Sequence, residues 1–499
     1  VCSSDLVLCR CADAGSGARC GRHQRLSCRG TTPAMPGQGC KDEAAGFQGM
    51  ARRILIVSHH FYPEAQVGAK RMSELARHLC DDGDEVVVIT ARAPAAACDQ
   101  SLQLRLPGLR QIRIPLPPKL LPFLLPRLRR LRGENGRANA TAAPAVPGSA
   151  KSGRESLLAK AKRFYFSLEW LIDDKKLWSF LVTLRLYGFL FAKPFDAVIS
   201  SGPPMSAHLA VLLGRPILRG RWVLDLRDPW CDQSERSHVE SRFSRWCNRR
   251  LEARVIAAAD AVTVTTPSYR DLLRQRYPRQ SSKIWLILNG YDRPPTHGPA
   301  STGRLQLLYA GTLYYNRDPF PLLRAVRELV DDPEVDRSKV SVRLVGDCDR
   351  WNDISLTDWI EANRLQDCVH VEPWAAPDTV AQLMAEANVL IAFAQGQPLQ
   401  IPAKMFDYLA ARREILLIAE PDSDAAWLVR QSDSARIVAP GDEAAMGAAL
   451  RALYRDYVTA PRRPQRLAAP LDAFSRRAQN AHFLDLLREG AVIEQEVES

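Results

Sequence analysis

The sequence predicts an α/β protein whose two domains are each built on a parallel sheet. Short apolar segments alternate with helical stretches along both halves of the chain, a pattern typical of parallel strands that are covered on both faces. A proline-rich break at residues 292–303 separates the two series. Of the 499 residues, 46% are hydrophobic, which is enough for two cores.

The first series predicts strands separated by helices, beginning at Arg53. The strands are expected at RILIVS, EVVVIT, DAVIS, WVLDL, AVTVTT and IWLILN. After the first strand, SELARHLC has helical spacing, and Gly83 is expected to end that helix. We place this first domain at residues 50–295.

The second series predicts a similar domain after the proline-rich break. Its strands are expected at LQLLYAG, VSVRLVG, CVHVEPW, VLIAF, EILLIA and ARIVA. We place this domain at residues 304–470. The last stretch, residues 471–499, is expected to form a helix that packs back across both domains.

A basic insertion is predicted within the first domain, at residues 103–193. Residues 104–163 contain 14 Lys and Arg against 2 Asp and Glu, which accounts for the whole net charge of +12. Residues 133–154 have the composition of a disordered linker. The basic and aromatic helical stretches that follow favour either contact with an anionic membrane or a solvated face over an ordinary core, and both interpretations stay open.

No transmembrane span is predicted. The strongest candidate, residues 177–192, is shorter than the roughly 20 residues that a span needs, and Arg185 interrupts it.

The first 49 residues differ from the rest of the chain. Six of the 12 cysteines lie within the first 40 residues, and the others are scattered without a Cys-x-x-Cys pair, which favours a reducing compartment. Residues 1–49 show no amphipathic period and no signal-peptide core. We predict that they are a tail, either disordered or foreign to a native protein that begins at Met50.

Candidate ligand-binding residues follow the predicted strands, because parallel sheets bind ligands beyond the carboxyl ends of their strands. After the first strand, Gly68 lies just before a helix that carries Lys70 and Arg71, two cations suited to an anionic group. After DAVIS, Gly202 begins a rigid turn, and His208 lies near the following helix start, where it could titrate near neutrality.

Charged residues crowd the end of the strand WVLDL. Asp225, Arg227, Asp228 and Trp230 fall within six positions. This cluster fits either a structural ion-pair network or part of a site at the strand end.

In the second domain, the candidate residues lie after LQLLYA and in the segment IPAKMFDYLAA. Gly311 and Thr312 follow the strand, and Arg317 precedes a helix, where a guanidinium can bind phosphate bidentately. Lys404 and Asp407 share one helical face. A cation for phosphate and a carboxylate for sugar hydroxyls suit a nucleotide-sugar, although a solvated helix pair is the more common case.

Taken together, these segments resemble the glycosyltransferases of family 4, which have the GT-B fold. The resemblance covers about residues 52–489 and rests on an ordered set of segments: ILIVSHHFYPEAQVGAKRMSELARHL, SSGPPMSAHLA, VLDLRDPW, ILNGYD, YAGTLYYNRDP and IPAKMFDYLAA. It implies two Rossmann-like, doubly wound domains that face a cleft, with a nucleotide-sugar donor in the C-terminal domain and the acceptor in the N-terminal one.

The resemblance also implies a reaction and residue roles. Sugar transfer would proceed with retention of configuration, without a metal ion and with no cofactor beyond the nucleotide-sugar co-substrate. Arg317 stands where relatives place a diphosphate-binding lysine, and Lys404 is a second candidate for that charge. Asp407 stands where relatives carry the second glutamate of a Glu-x7-Glu motif, which binds ribose hydroxyls. We therefore expect Arg317, Lys404, Arg227 and Asp228 to be catalytic.

The sequence also departs from the family pattern. Leu399 stands at the first glutamate of that motif, Thr312 at an arginine, and Arg227 at the histidine of many relatives. The segment 411–415 replaces a glycine-containing turn. These departures indicate a divergent branch.

The expected function is transfer of sugar to a polysaccharide or lipid-linked acceptor in bacterial cell-surface glycan biosynthesis. The location would be the cytoplasm, with peripheral contact at the inner face of the plasma membrane. A nucleotide-sugar epimerase or hydrolase, or a GT-B binding protein without turnover, are the alternatives. The pI of 9.2 also suggests a nucleic-acid binder, but the basic residues lie among leucines and prolines, outside any recognition motif.

Overall fold

The structure, a computed structural model, describes residues 51–116, 171–232, 241–292, 303–314, 316–432, 435–459 and 471–488. These residues all belong to the unit that spans Met50–Ser499. The predicted tail at 1–49 and the predicted linker at 133–154 lie outside the described residues. Within the described ranges, no helix has the length and apolar character needed to cross a membrane.

A parallel sheet of seven strands forms the centre of the N-terminal domain, in the order β3-β2-β1-β4-β5-β6-β7 among the described residues. The strands are β1 Arg53–Ser58, β2 Glu85–Ala91, β3 Leu109–Ile114, β4 Ala197–Gly202, β5 Arg221–Leu226, β6 Ala261–Val264 and β7 Ile284–Leu286. The helices are α1 Val67–Asp81, α2 Lys176–Tyr187, α3 Ser206–Gly214, α4 Arg242–Ala258 and α5 Pro267–Arg276.

Alternating apolar side chains bury both faces of this sheet. Leu55 and Val57 of β1 pack in one cluster with α2, α3 and α4. Ile54 and Ile56, which point the other way, pack with α1. A strand that is apolar on both faces needs helices on both sides, which explains the doubly wound arrangement.

The C-terminal domain is built in the same way around a six-stranded parallel sheet, in the order β12-β9-β8-β13-β14-β15. Its strands are β8 Leu305–Ala310, β9 Val340–Val345, β12 Val369–Glu372, β13 Val389–Phe393, β14 Glu414–Ile418 and β15 Ala435–Val438, and a separate hairpin contains β10 Arg350–Trp351 and β11 Ile354–Ser355. The helices are α6 Phe320–Val330, α7 Leu356–Ala362, α8 Pro377–Glu386, α9 Lys404–Ala410, α10 Asp424–Val429 and α11 Glu443–Tyr454. Both domains therefore have the architecture of the GT-B fold.

The last described helix, α12 Arg476–Arg488, packs on the N-terminal domain. Its Phe483, Leu484 and Leu486 belong to the cluster formed by α1 and β1. The turn before it, Leu471–Phe474, places Phe474 in a core cluster of the C-terminal domain. The chain end thus contacts the cores of both domains.

One buried ion pair connects several elements of the N-terminal domain. Arg71 of α1 donates from Nη2 to Asp225 Oδ1 of β5 at 3.0 Å. The same guanidinium donates to the carbonyls of Ile287 and Leu288, at 2.9 and 2.7 Å. Burial opposes ionisation of Asp225, but the charge and hydrogen bonds of Arg71 hold the pKa of that carboxyl below its usual value.

Some element boundaries differ from those that the sequence predicts. Strand β3 lies within the predicted insertion and pairs with β2, so part of residues 103–193 belongs to the sheet. Among the described residues of that range, the strand is Leu109–Ile114, in which Ile114 alone is buried, which explains why apolar patterning misses it. Helix α1 already begins at Val67, and β7 ends at Leu286.

We expect Arg71→Met to lower the free energy of unfolding by about 3–5 kcal/mol, because it leaves the buried Asp225 carboxylate without its cation. Urea denaturation at neutral pH measures this. The matched control is Arg77→Met on the same helix, whose side chain is 45% exposed and pairs with Glu74. The control should cost less than about 1 kcal/mol, and equal losses in the two variants would contradict the interpretation.

Candidate functional site

The predicted site residues lie where each sheet changes strand order. In the N-terminal sheet, β1 lies between β2 and β4, and in the C-terminal sheet β8 lies between β9 and β13. Chain connections leave in opposite directions at such a point and open a crevice at the carboxyl ends of the strands. The loops after β1, β4 and β8 therefore form the edges of a candidate site.

Arg227 holds together three loops of the N-terminal domain. It follows β5, and its guanidinium donates to the carbonyls of Gly68, Gly202 and Pro203. Its own backbone N–H also donates to Gly202 O at 2.9 Å. Burial lowers the pKa of Arg227, and the charge of Asp228 partly offsets this effect. Arg227, expected from the sequence to be catalytic, thus has its guanidinium engaged with backbone.

The two glycines make this arrangement possible. A Cβ on Gly68 would lie 3.2 Å from Arg227 Nη1, and one on Gly202 would lie 2.6 Å from His208 Nε2. Gly68 lies within the first turn of α1 rather than before the helix, as the sequence had suggested. Gly202 needs to be glycine because the buried His208 ring approaches its backbone closely, and at Gly68 a side chain would be in tight contact with the Arg227 guanidinium.

Three residues expected on the acceptor side are packed inside the N-terminal domain. Arg71 belongs to the buried ion pair with Asp225, so its charge already has internal partners. Trp230 is 1% exposed, and its backbone N–H donates to the hydroxyl oxygen of Tyr269 at 3.2 Å.

His208 does not titrate near neutrality as the sequence analysis had suggested. It is fully buried, and its Nδ1 lies 2.9 Å from Ser200 Oγ. Burial lowers the pKa of His208 to about 3, with a smaller opposing effect of Asp225. The imidazole is therefore neutral at pH 7 and acts as a packed, hydrogen-bonded side chain.

Lys70 is the acceptor-side cation that remains partly exposed. Its Nζ pairs with Asp292, whose other carboxylate oxygen accepts from Arg476 Nε at 2.5 Å. Asp407 of α9 lies close enough to respond to this group: burial raises the pKa of Asp407, and the positive charge of Lys70 opposes the rise. Lys70 and Asp407, one from each domain, therefore lie near each other.

Lys404 begins α9 and lies beside the end of β8. Its Nζ donates to Ala310 O at 3.3 Å and lies 3.6 Å from the ring centroid of Tyr309. A Cβ on Gly311 would be 3.2 Å from this nitrogen. Burial lowers the pKa of Lys404 well below its usual value, and the positive charge of Arg317 lowers it further.

Arg317 approaches the same loop from the other side. Its Nη1 donates to Thr312 O at 3.2 Å, and its guanidinium carbon lies 4.3 Å from the ring centroid of Tyr314. Its Nε is buried and has no hydrogen-bond partner among the described residues. The sequence placed Arg317 and Lys404 in one site, and the structure brings both to the Gly311–Thr312 loop.

Contacts between the domains explain the leucine at position 399. Thr266 Oγ1 donates to Leu399 O at 2.9 Å, and the Leu399 side chain packs against the apolar cluster that covers β1, β4 and β5. A carboxylate could not replace it there without being desolvated. The missing glutamate therefore corresponds to an apolar contact between the two domains.

Sequence reasoning missed two polar residues, Gln400 at this interface and Glu420 within the C-terminal domain. Gln400 donates from Nε2 to Asp228 Oδ1 at 3.1 Å and so joins the two domains directly beside Arg227. Glu420 follows β14, and its carboxylate accepts from the Gly396 N–H at 3.0 Å. Glu420 could have been found by its position at the end of a strand, whereas nothing in the sequence around Gln400 indicates its contact.

Two family descriptions match the chain, one for each domain. Residues 68–290 match "Glycosyl transferase 4-like domain" and residues 304–456 match "Glycosyl transferases group 1". The chain carries the two domains of a GT-B glycosyltransferase. The gap between the matches includes the proline-rich break. None of the curated proteins compared matches the sequence.

Solved structures with the same fold support this assignment at the level of architecture. Sucrose-phosphate synthase from Thermosynechococcus elongatus is similar with a TM-score of 0.56 at 16% identity, over 88% of this chain and 98% of that one. HepE of Anabaena, solved in complex with UDP, has a TM-score of 0.56 at 13% identity, over 88% of this chain and 100% of that one. The catalytic domain of Arabidopsis thaliana starch synthase IV, bound to ADP and acarbose, has a TM-score of 0.51 at 12% identity, over 88% of this chain and 99% of that one.

The buried His208 predicts a pH dependence of stability. Its pKa is about 3 in the folded protein and about 6.5 in an unfolded chain. Between about pH 3 and about pH 6.5 the unfolded chain binds a proton at His208 that the folded protein does not bind. The stability that His208 contributes is therefore fully present above about pH 6.5. As the pH falls it is lost, by up to about 1.4 kcal/mol per pH unit.

His208→Asn removes that titration. The difference in free energy of unfolding between the wild type and His208→Asn should therefore shrink as the pH falls from about 7 to about 4, as measured by urea denaturation. His370→Asn, which removes an exposed histidine on β12, serves as the control. A difference for His208 that stays constant over this range would contradict the burial argument.

Leu399→Glu restores the carboxylate of related proteins and tests the contact between the domains. We expect it to lower the free energy of unfolding by about 2 kcal/mol or more, because the charge is placed against an apolar cluster. Leu399→Met keeps the volume and should cost less than about 1.5 kcal/mol. Thermal unfolding of both variants measures this, and an unchanged midpoint for Leu399→Glu would mean that the side chain turns to solvent.

Proposed function

We propose that this glycosyltransferase moves a sugar from a nucleotide-sugar, bound by the C-terminal domain, to an acceptor bound against the N-terminal domain. As a divergent member of family 4 it would retain the anomeric configuration and need no metal ion or further cofactor. The acceptor would be a polysaccharide or lipid-linked glycan of the bacterial cell surface. The enzyme would work in the cytoplasm, at the inner face of the plasma membrane.

The observation that carries this proposal is the pair of cations at the Gly311–Thr312 loop. Lys404 is surrounded by a carbonyl, an aromatic ring and the charge of Arg317. The groups that influence its pKa most include a second cation and no carboxylate. Two cations that influence each other at one partly desolvated loop are unfavourable unless an anion binds between them, and a diphosphate supplies that anion.

Related folds support the identity of this anion. HepE was solved with UDP, and the starch synthase domain with ADP. Both ligands are nucleoside diphosphates, which are the leaving groups of nucleotide-sugars. In this chain the corresponding diphosphate would lie beside the Gly311–Thr312 loop, where Arg317 Nε has no partner among the described residues.

The same cations provide the catalytic effect in this proposal. Negative charge grows on the diphosphate as the sugar–oxygen bond breaks, and positive groups fixed in a partly desolvated site stabilise that charge. Asp407, next along the face of α9 and close to Lys70, would accept hydrogen bonds from the ribose hydroxyls. Its aspartate side chain is shorter than the glutamate of relatives.

On the acceptor side, Arg227 would act by fixing three loops, and Asp228 would face the cleft. Asp228 accepts from Gln400 of the other domain, so its carboxylate lies at the interface where donor and acceptor meet. Because Gly68 and Gly202 have no side chain, the acceptor would be able to approach the backbone at these two positions. Lys70, which is partly exposed, would add positive charge at this edge.

We expect Arg317→Ala and Lys404→Ala each to weaken donor binding by about 10- to 100-fold, the effect of losing one charge-assisted contact of roughly 1.5–3 kcal/mol. Calorimetric titration with a panel of nucleotide-sugars and with UDP and ADP measures this. Thermal shift with the same ligands gives a second readout.

Matched controls exist in the same domain. Arg324→Ala and Lys339→Ala remove exposed cations that pair with Glu443 and Asp336, and both should bind donor as the wild type does. If Arg317→Ala and Lys404→Ala also bind normally, the donor site lies elsewhere. Release of free sugar or of a 2-epimer without acceptor would instead favour a hydrolase or an epimerase.

A further inference from the structure

Most of the large apolar side chains that stay exposed in the described residues lie between positions 177 and 246. We call this area the α2–α4 surface. It contains residues of α2, of the turn that follows α2, and of the start of α4: Leu177, Phe180, Leu184, Tyr187, Leu190, Phe191, Phe243 and Trp246.

Helix α2 is apolar on two opposite faces. Trp178, Val182 and Leu186 are fully buried against the sheet. The exposed residues Leu177, Phe180, Leu184 and Tyr187 repeat at intervals of three and four and so form a stripe on the opposite face. A helix that is apolar all round usually has both faces covered, so this stripe needs a partner.

The turn after α2 extends the stripe. Leu190 is 54% exposed and Phe191 is 99% exposed. A phenylalanine that is almost completely in water is unfavourable relative to a buried one. Lys193 follows two residues later and is exposed.

Helix α4 adds positive charge to the same surface. Its exposed residues between positions 242 and 254 are five arginines and two aromatic residues: Arg242, Phe243, Arg245, Trp246, Arg249, Arg250 and Arg254. The guanidinium of Arg250 lies 5.0 Å from the Trp246 ring centroid. The only acid of this helix, Glu252, is buried and accepts from Tyr277 at 2.7 Å.

The two helices present one continuous area. Both pack in the same cluster on one side of the N-terminal sheet, with α3 between them. Asn248 of α4 accepts from the N–H of Ile172, just before α2, at 2.8 Å. Leu213 of α3 is 38% exposed, and its carbonyl accepts from the hydroxyl of Tyr187 in the apolar stripe at 3.4 Å.

We propose that the α2–α4 surface docks on an anionic lipid bilayer. Leucine and phenylalanine side chains enter the boundary between head groups and acyl chains, Trp246 and Tyr187 lie at the head-group level, and the arginines contact lipid phosphates. A surface of positive charges interleaved with aromatic side chains fits an anionic lipid surface. A protein partner would instead need an acidic and apolar face of matching shape.

The sequence analysis left a membrane contact open for the helical stretch that contains α2 and placed the excess positive charge in residues 104–163. The arginines of the α2–α4 surface lie on α4, outside that basic segment. Docking here rests on exposure and charge alone and is measured without any donor, so it can fail independently of the proposed sugar transfer.

Flotation with vesicles tests the proposal, using the full chain and no nucleotide. The wild type should bind vesicles of equal parts phosphatidylglycerol and phosphatidylcholine and should not bind pure phosphatidylcholine. Raising salt from about 0.1 M to about 1 M shortens the Debye length from about 10 Å to about 3 Å and should weaken binding. Leu184→Gln with Phe191→Gln, and separately Arg245→Gln with Arg249→Gln, should each reduce partitioning by about tenfold or more.

Two comparison variants make the result decisive. Trp374→Gln removes an exposed aromatic residue of the C-terminal domain, 76% exposed, and should bind vesicles as the wild type does. Neutralising Arg127, Arg129, Arg130 and Arg132 to Gln tests the basic segment instead. Circular dichroism confirms that each variant is folded.

The proposal is overturned if the wild type does not bind anionic vesicles, or if only the variant of residues 127–132 loses binding. It is also overturned if sedimentation shows a dimer that Leu184→Gln with Phe191→Gln dissociates while vesicle binding stays unchanged, since the surface would then contact a second copy.

Discussion

The buried pair of Arg71 and Asp225 is the interaction on which the geometry of the N-terminal domain depends. Asp225 also accepts from Ser201 at 2.7 Å and from Thr263 at 2.8 Å, so neighbouring strands meet at one carboxylate. Two residues later, just after β5 ends, Arg227 turns towards the loops and binds three carbonyls. Near the end of β5, Asp225 thus connects the strands inside the domain, and Arg227 fixes the loops at the edge of the cleft. A carboxylate that is satisfied by three partner side chains can remain ionised inside a core, where an unpaired one could not.

The C-terminal domain shows the opposite situation, and this contrast separates a structural cluster from a binding cluster. Around Asp225 every charge has its counter-charge. Around Lys404 the neighbours are an aromatic ring, a carbonyl and a second cation. Like charges repel strongly where water is excluded, and this imbalance is the ground on which we propose that a diphosphate binds beside Lys404. The same reasoning does not apply to Lys70, whose ammonium already pairs with Asp292.

The sequence predicted the architecture well because both sheets consist of strands buried on two faces, and these appear as apolar segments between helices. It missed β3, whose residues at the sheet edge are only partly buried. For the site, strand ends led to Arg317 and Lys404, which the structure brings to one loop. Pattern alone could not separate Arg71, which is buried in an ion pair, from Lys70, which is partly exposed, since both are cations on one helix. Nor could it find the contact of Gln400 with Asp228, because that hydrogen bond joins residues 172 positions apart.

The surroundings of Leu399 give a structural reason for one departure from the family pattern. Where relatives carry a glutamate, this chain places an apolar side chain against the N-terminal core. The next residue, Gln400, binds Asp228, and Asp424 of α10 accepts from the N–H of Ser268 at the start of α5 at 3.0 Å. The segment that would contact the sugar in relatives therefore also holds the two domains together here. A carboxylate at position 399 would have to leave the apolar cluster to stay hydrated. This movement would disturb the neighbouring contacts between the two domains. Leu399 and Thr312 carry no charge, whereas Arg317 and Lys404 supply positive charge beside the Gly311–Thr312 loop, so the proposed electrostatic effect depends on these two residues.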